Sequence, residues 1–392
     1  MPGFFSNVFK LTTGTMIAQV VGILLIPVVT RVYSPEFLGV SQLFLSIATV
    51  IVVISSFSYH FAVMLPEKNE DSMTVFVLCI LCILCTSTVA GAVVVGFADK
   101  IGEIFATAAI ADYLIWVPVY VSLSGLSLIL TEWLSRKVKY GILSREIVTS
   151  SISTRVFQIG GTDRRLPPGP HPWFGGGSDP FAVRYNEFPL YENTASLANG
   201  MSWELPAFML SFFFSPIILG YYALAMMVVR MPMTMVGTAA SQVFYQRASE
   251  EKSLTGGVQT VVQEIHTRLI AAGIFPFILF IILAEELFTF IFGTDWLTAD
   301  TYARILASWL FAVFVVSPIT TLFGVLERQR VFLLVEAMIL CAWVVAFYVG
   351  GTSGNPLLTL TLFSIGGMLM WGAKRAYLIR ESGAGYRGAF SA

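Results

Sequence analysis

Apolar runs of about 20 residues, separated by short polar breaks, recur along nearly the whole chain. A helix of about 20 residues crosses the hydrocarbon core of a bilayer. The runs predict crossings at roughly 11–32, 39–63, 73–97, 113–133, 194–214, 217–239, 268–292, 303–326, 331–350 and 355–373. A short amphipathic piece, Ile101 to Ala111, lies between the third and fourth. Residues 146–161 are a weaker candidate, carrying Arg155, Gln158 and several Ser and Thr. From Thr162 to Arg184 the pattern stops: proline and glycine crowd the stretch between Pro167 and Pro180. No regular element survives that density, so this stretch is expected outside the lipid.

One polar break occurs twice. Ser34-Pro-Glu-Phe-Leu-Gly-Val-Ser-Gln-Leu43 matches Ser215-Pro-Ile-Ile-Leu-Gly-Tyr-Tyr-Ala-Leu224 at Ser, Pro, Leu, Gly and the final Leu. A mixed-charge loop is expected after each copy, Glu67 to Asp71 and Arg247 to Lys252. The duplication predicts two lobes on one plan: residues 1–161, an irregular segment 162–187, and residues 188–392.

Composition sharpens this reading. Hydrophobic residues make up 56% of the chain and charged residues 12%, about half the charge of a soluble domain. The fold class is an all-α polytopic membrane protein with nominally six plus six helices, of which about eleven are visible. Membrane β-barrels, whose strands are short and alternating, do not fit. A net charge of −1 gives no reason to expect nucleic acid. Lys10 precedes a run of full membrane length without a small-residue cleavage site, so that run is expected to remain as an anchor. Cys79, Cys82 and Cys85 have metal-like spacing but lie in a wholly apolar run, which favours packing. No metal or cofactor is expected.

Basic residues give the orientation. Arg136, Lys137, Lys139 and Arg145 follow the fourth crossing, which places the N-terminus inside. If the second lobe keeps that orientation, Arg247, Lys252, Arg268, Arg328, Arg330, Lys374, Arg375, Arg380 and Arg387 also fall inside. Region 140–187 must then hold an even number of crossings. Either residues 146–161 do not cross, or a partner crossing is missing.

Charge inside the membrane is the chemistry to look for, because each such residue costs a few kcal/mol. Arg230 lies near the centre of 217–239, two residues before Pro232. Glu204, on the antiparallel run before it, differs in depth by about 6 Å. Arg230 pairs with Glu204 alone, or pairs and also meets an anionic substrate. Arg155 either lines a cavity or is exposed at a helix end. His60, beside Tyr59 near the inner end of the second run, is a titratable candidate or a hydrogen-bonded bystander. Glu336, early in 331–350, snorkels, pairs or relays a coupling ion. Trp296 suits an interfacial anchor. No nucleotide-binding loop, paired-His motif or catalytic triad is visible.

Several stretches in order resemble one family. They are Gly14-Thr-Met-Ile-Ala-Gln19, Pro27, Tyr33 to Gly39 and Tyr59 to Pro66, followed by Phe188-Pro-Leu-Tyr191, Gly220 to Pro232, Val243-Phe244 and Phe292 to Trp296. The chain resembles the polysaccharide transporter (oligosaccharide flippase) family of the multidrug/oligosaccharidyl-lipid/polysaccharide superfamily. The resemblance implies two six-helix bundles around a central cavity and a location in the bacterial inner membrane, with both termini cytoplasmic. It implies alternating-access transport of polyprenyl-pyrophosphate-linked oligosaccharide among membrane lipids, with a polysaccharide polymerase as a candidate partner. It implies no enzymatic activity. Two departures stand out. Residues 162–184 replace a sixth apolar helix and read like an out-of-frame stretch, and His60 stands where the family often has an acid. The competing readings are a membrane polymerase or ligase acting on lipid-linked sugars, a cation-coupled multidrug exporter, and an inactive remnant.

Overall fold

The computed structural model describes residues 24–55, 69–136 and 188–383, apart from positions 106, 232, 234–236 and 327. His60, Arg155 and the Pro/Gly-rich segment 162–187 lie outside the described residues. Every regular element among the described residues is helical. Seven of these helices are long and apolar enough to cross a membrane, so this is a multi-pass membrane protein.

The chain divides into two compact units. The first comprises Met1–Phe188 with Ser215–Gly220, and the second comprises Pro189–Phe214 with Tyr221–Ala392.

In the first unit, helical residues 24–32 lead into α1 (Pro35–Ser55), α2 (Asn69–Ile104), α3 (Ile110–Leu114) and α4 (Val117–Arg136). The 36-residue α2 runs on through Lys100 to Ile104, so part of the expected amphipathic piece continues the crossing. Straight-chain and small residues, with no proline, let that helix persist beyond the apolar run. Cys79 and Ile83 on α2 pack against Ile129 on α4, with Phe76 and Trp133 beside them. Cys79 is buried, whereas Cys85, further along the same helix, is exposed.

The repeated turn begins a helix in both copies. Pro35 and Pro216 occupy the first helical position, where a missing N–H costs nothing. The Ser34 hydroxyl accepts the Phe37 N–H at 3.3 Å. The two copies also meet. A methyl group on Gly39 would sit 1.8 Å from the Pro216 carbonyl oxygen, and one on Gly220 would sit 1.8 Å from the Pro35 carbonyl oxygen. Each glycine thus faces the other copy's proline carbonyl in a reciprocal contact that only glycine permits.

The second unit is built from α5 (Phe188–Phe213), the part of α6 (Pro216–Val229) that follows Gly220, α7 (Thr238–Thr255), α8 (Gln259–Phe292), α9 (Leu297–Val316), α10 (Leu322–Val325), α11 (Gln329–Thr352) and α12 (Pro356–Glu381). Arg247 to Lys252, expected as a loop, is helical within α7. Its charges are spent on neighbouring helix ends. The Glu251 carboxylate accepts the Thr260 and Val261 N–H groups at 3.0 and 2.9 Å, capping α8, and the Lys252 ammonium donates to the Val325 carbonyl at the end of α10. Gly256, at φ +77°, closes α7. Asn355 caps α12 through its side-chain oxygen. Trp296 is buried, with its ring set edge-on to Tyr221, and is not an interfacial anchor.

Replacing Gly39 or Gly220 by alanine is expected to cost about 1–3 kcal/mol through overpacking. A G366A change, with open space around its new methyl group, is expected to leave thermal unfolding of the purified protein unmoved.

Candidate functional site

The second unit holds a continuous polar and aromatic column. On α5, Asn199 and Trp203 are one helical turn apart and share a face. Glu204 follows directly. Arg230 extends α6 by one more helical hydrogen bond, its N–H donating to the Met226 carbonyl at 3.0 Å. Its guanidinium lies over the Trp203 ring, 4.2 Å from the centroid. Glu204 and Tyr222 are its electrostatic neighbours. Arg230 and Glu204, chosen from depth alone, are therefore brought together.

Trp203 joins this group to a core of rings. Its centroid is 5.5 Å from Trp309 and 6.5 Å from Trp343. Those two tryptophans stand perpendicular at 5.3 Å, and both pack on Phe363 at 4.7 and 4.8 Å. Gly367 on α12 makes the fit possible, since a methyl group there would lie 2.5 Å from Trp309. Such ring pairs add roughly 0.5–1.5 kcal/mol each beyond burial.

Below the rings, three helices share one charge. Glu336 on α11 accepts from the Lys374 ammonium on α12 at 2.5 Å and from the Asn199 amide on α5 at 2.9 Å. The Lys374 and Glu336 side chains are each 1% exposed. Ring faces close round the ammonium, with Trp371 at 4.6 Å, Phe332 at 5.2 Å and Phe323 at 5.9 Å. Glu336 thus pairs inside the bundle.

Sequence reasoning missed Lys374 and Asn199. Lys374 begins a basic tail and reads as cytoplasmic. A depth count could have found it: Glu336 lies 18 residues before Gly354 and Lys374 lies 20 after it, so antiparallel helices bring them within about 3 Å in height. Nothing in the sequence marks Asn199.

Other ion pairs sit on the rims. Arg268 and Arg247 meet Glu264 at 2.8 and 3.2 Å, and Arg328 meets Glu381 at 3.3 Å. Arg375 donates to His266 at 2.7 Å. Towards the other end of α8, Arg304 binds Glu285 at 3.0 Å and also the buried Asp300. Among the described residues, no cluster of His, Cys, Asp and Glu suits a metal ion.

The backbone trace of this chain is similar to those of solved transporters. One is the lipid II flippase MurJ in an inward closed conformation, with a TM-score of 0.62, 14% identity, and coverage of 95% of this chain and 87% of that one. At that identity the likeness is one of fold. Another is the MATE multidrug transporter DinF-BH, with a TM-score of 0.50, 13% identity, and coverage of 97% of this chain and 96% of that one. Residues 182–300 match the family model described as "Polysaccharide biosynthesis protein". That stretch carries Trp203, Glu204 and Arg230, so the resemblance read from the sequence stands. No curated protein matches the chain.

Glu336→Gln leaves a buried ammonium without its counter-charge and is expected to cost about 3–5 kcal/mol. Glu264→Gln, at a half-exposed rim pair, is expected to cost less than about 1 kcal/mol. Denaturation of the two variants side by side checks the contrast.

Proposed function

We propose that this protein is a flippase for lipid-pyrophosphate-linked oligosaccharide units, moving them from the inner to the outer leaflet of the bacterial inner membrane by alternating access. The carrying observation is Arg230 held over the Trp203 ring inside a bundle of this fold. A pyrophosphate bears clustered negative charge on its oxygens, and a pre-oriented guanidinium fork matches it in two-point contact. The neighbouring Glu204 tempers that charge, so the headgroup is released rather than trapped. The family match over residues 182–300 supports sugar-polymer chemistry.

The charge balance of the second unit favours an anion over a cationic drug. Glu204, Asp300 and Glu336 each have a cationic neighbour, in Arg230, Arg304 and Lys374. A cation exporter needs acids that can turn towards its cargo.

The test is translocation of a fluorescent polyprenyl-pyrophosphate oligosaccharide in vesicles containing the full chain. Arg230→Ala is expected to lower the rate at least about tenfold, the loss of one charge-assisted contact. Arg230→Lys is expected to restore part of it, and Trp203→Ala to fall between. Export of a cationic dye, with no movement of the lipid, would replace this reading with the drug-exporter one.

A further inference from the structure

We propose that Lys374 is a tethered counter-ion filling a monovalent-cation site built around Glu336, and that this site is therefore closed to free cations. The inference does not rest on the flippase reading, and its test does not measure transport.

Three features of the site support it. Both carboxylate oxygens of Glu336 are engaged, one by the Lys374 ammonium at 2.5 Å and the other by the Asn199 amide at 2.9 Å. The ammonium is enclosed on its remaining sides by the faces of Trp371, Phe332 and Phe323. Carboxylate plus ring faces is the environment that stabilises an ammonium stripped of water. The pair is also sealed, with both side chains 1% exposed. Glu336 gains its neutralising charge from the fold itself. An ion arriving from solution would find both oxygens taken, and would have to displace a side chain anchored four carbons away on α12. Glu336 is thereby removed from the groups that could relay a coupling ion.

The site is a cation site in its chemistry, so removing the tether should expose it. Lys374→Ala deletes three carbons and the ammonium, which is the outline of n-propylammonium. Ring faces supply attraction but no oxygen ligands, so an alkylammonium should fit the vacated space better than sodium does.

The experiment is thermal unfolding of the purified full chain in choline, sodium and n-propylammonium chloride at equal ionic strength. Wild type is expected to melt within about 1 °C of the same temperature in all three. Lys374→Ala is expected to melt several degrees lower in choline. It should regain at least about 3 °C in n-propylammonium, rising with concentration as ligand linkage requires, and less in sodium. The gain should vanish in the Glu336→Gln/Lys374→Ala double variant. Wild type gaining as much as Lys374→Ala would overturn the proposal, as would a gain that survives in the double variant. If Lys374→Ala cannot be recovered in choline, recovery only when n-propylammonium is present throughout purification supports the proposal. Recovery in none of the salts overturns it.

Discussion

Inside a bilayer a charge cannot borrow its stabilisation from water, and the bond between Glu336 and Lys374 follows from that constraint. Two ions at 2.5 Å in a sealed interior attract strongly, yet each has lost its hydration. The balance turns favourable only because the leftover valences are also met, by the Asn199 amide and by three ring faces. Those partners come from α5, α10, α11 and α12. Four helices must therefore be in register before the charge is satisfied, which makes the pair a condition on the packing of the whole second unit.

The aromatic core above it obeys a related rule. Lipid tails are as apolar as leucine, so helices in a membrane gain little by hiding leucine from them. Trp203, Trp309, Trp343 and Phe363 instead supply close contact area and oriented quadrupoles, which lipid cannot match. Meanwhile the outward faces remain apolar, with Val95, Phe290 and Leu369 well exposed. The rings connect the two charged groups: Trp203 touches Arg230 on one side, and Asn199, one turn away on the same helix, reaches Glu336.

Much of this was legible in the sequence. Seven of the ten expected crossings coincide with helices long and apolar enough to span, whereas the run at 217–239 carries only the short helix Pro216–Val229. The twice-used Ser-Pro…Leu-Gly turn announced a pair of related helix starts. Arg230 and Glu204 were found together because antiparallel helices turn sequence distance into depth. The same arithmetic was not extended to Lys374, because a lysine beside Arg375 looks solvated until its helix is known to run on to Glu381. Hydropathy marks where a chain is apolar, not where a helix ends. For that reason α2 outlasted its apolar run, and the charged stretch before Gly256 proved helical. Trp296 was misplaced for a different reason: an aromatic next to a turn can face lipid headgroups or the bundle, and only its neighbour Tyr221 decides.

The reciprocal approach of Gly39 and Gly220 has a mechanical consequence. Helices that mesh through long side chains can slide or rotate only by unmeshing them. Here bare backbone lies on bare backbone, with each proline carbonyl against the opposite glycine. The obstacle to a larger residue is therefore rigid main chain rather than a side chain that could turn aside, so the two helix starts can admit one only by moving apart.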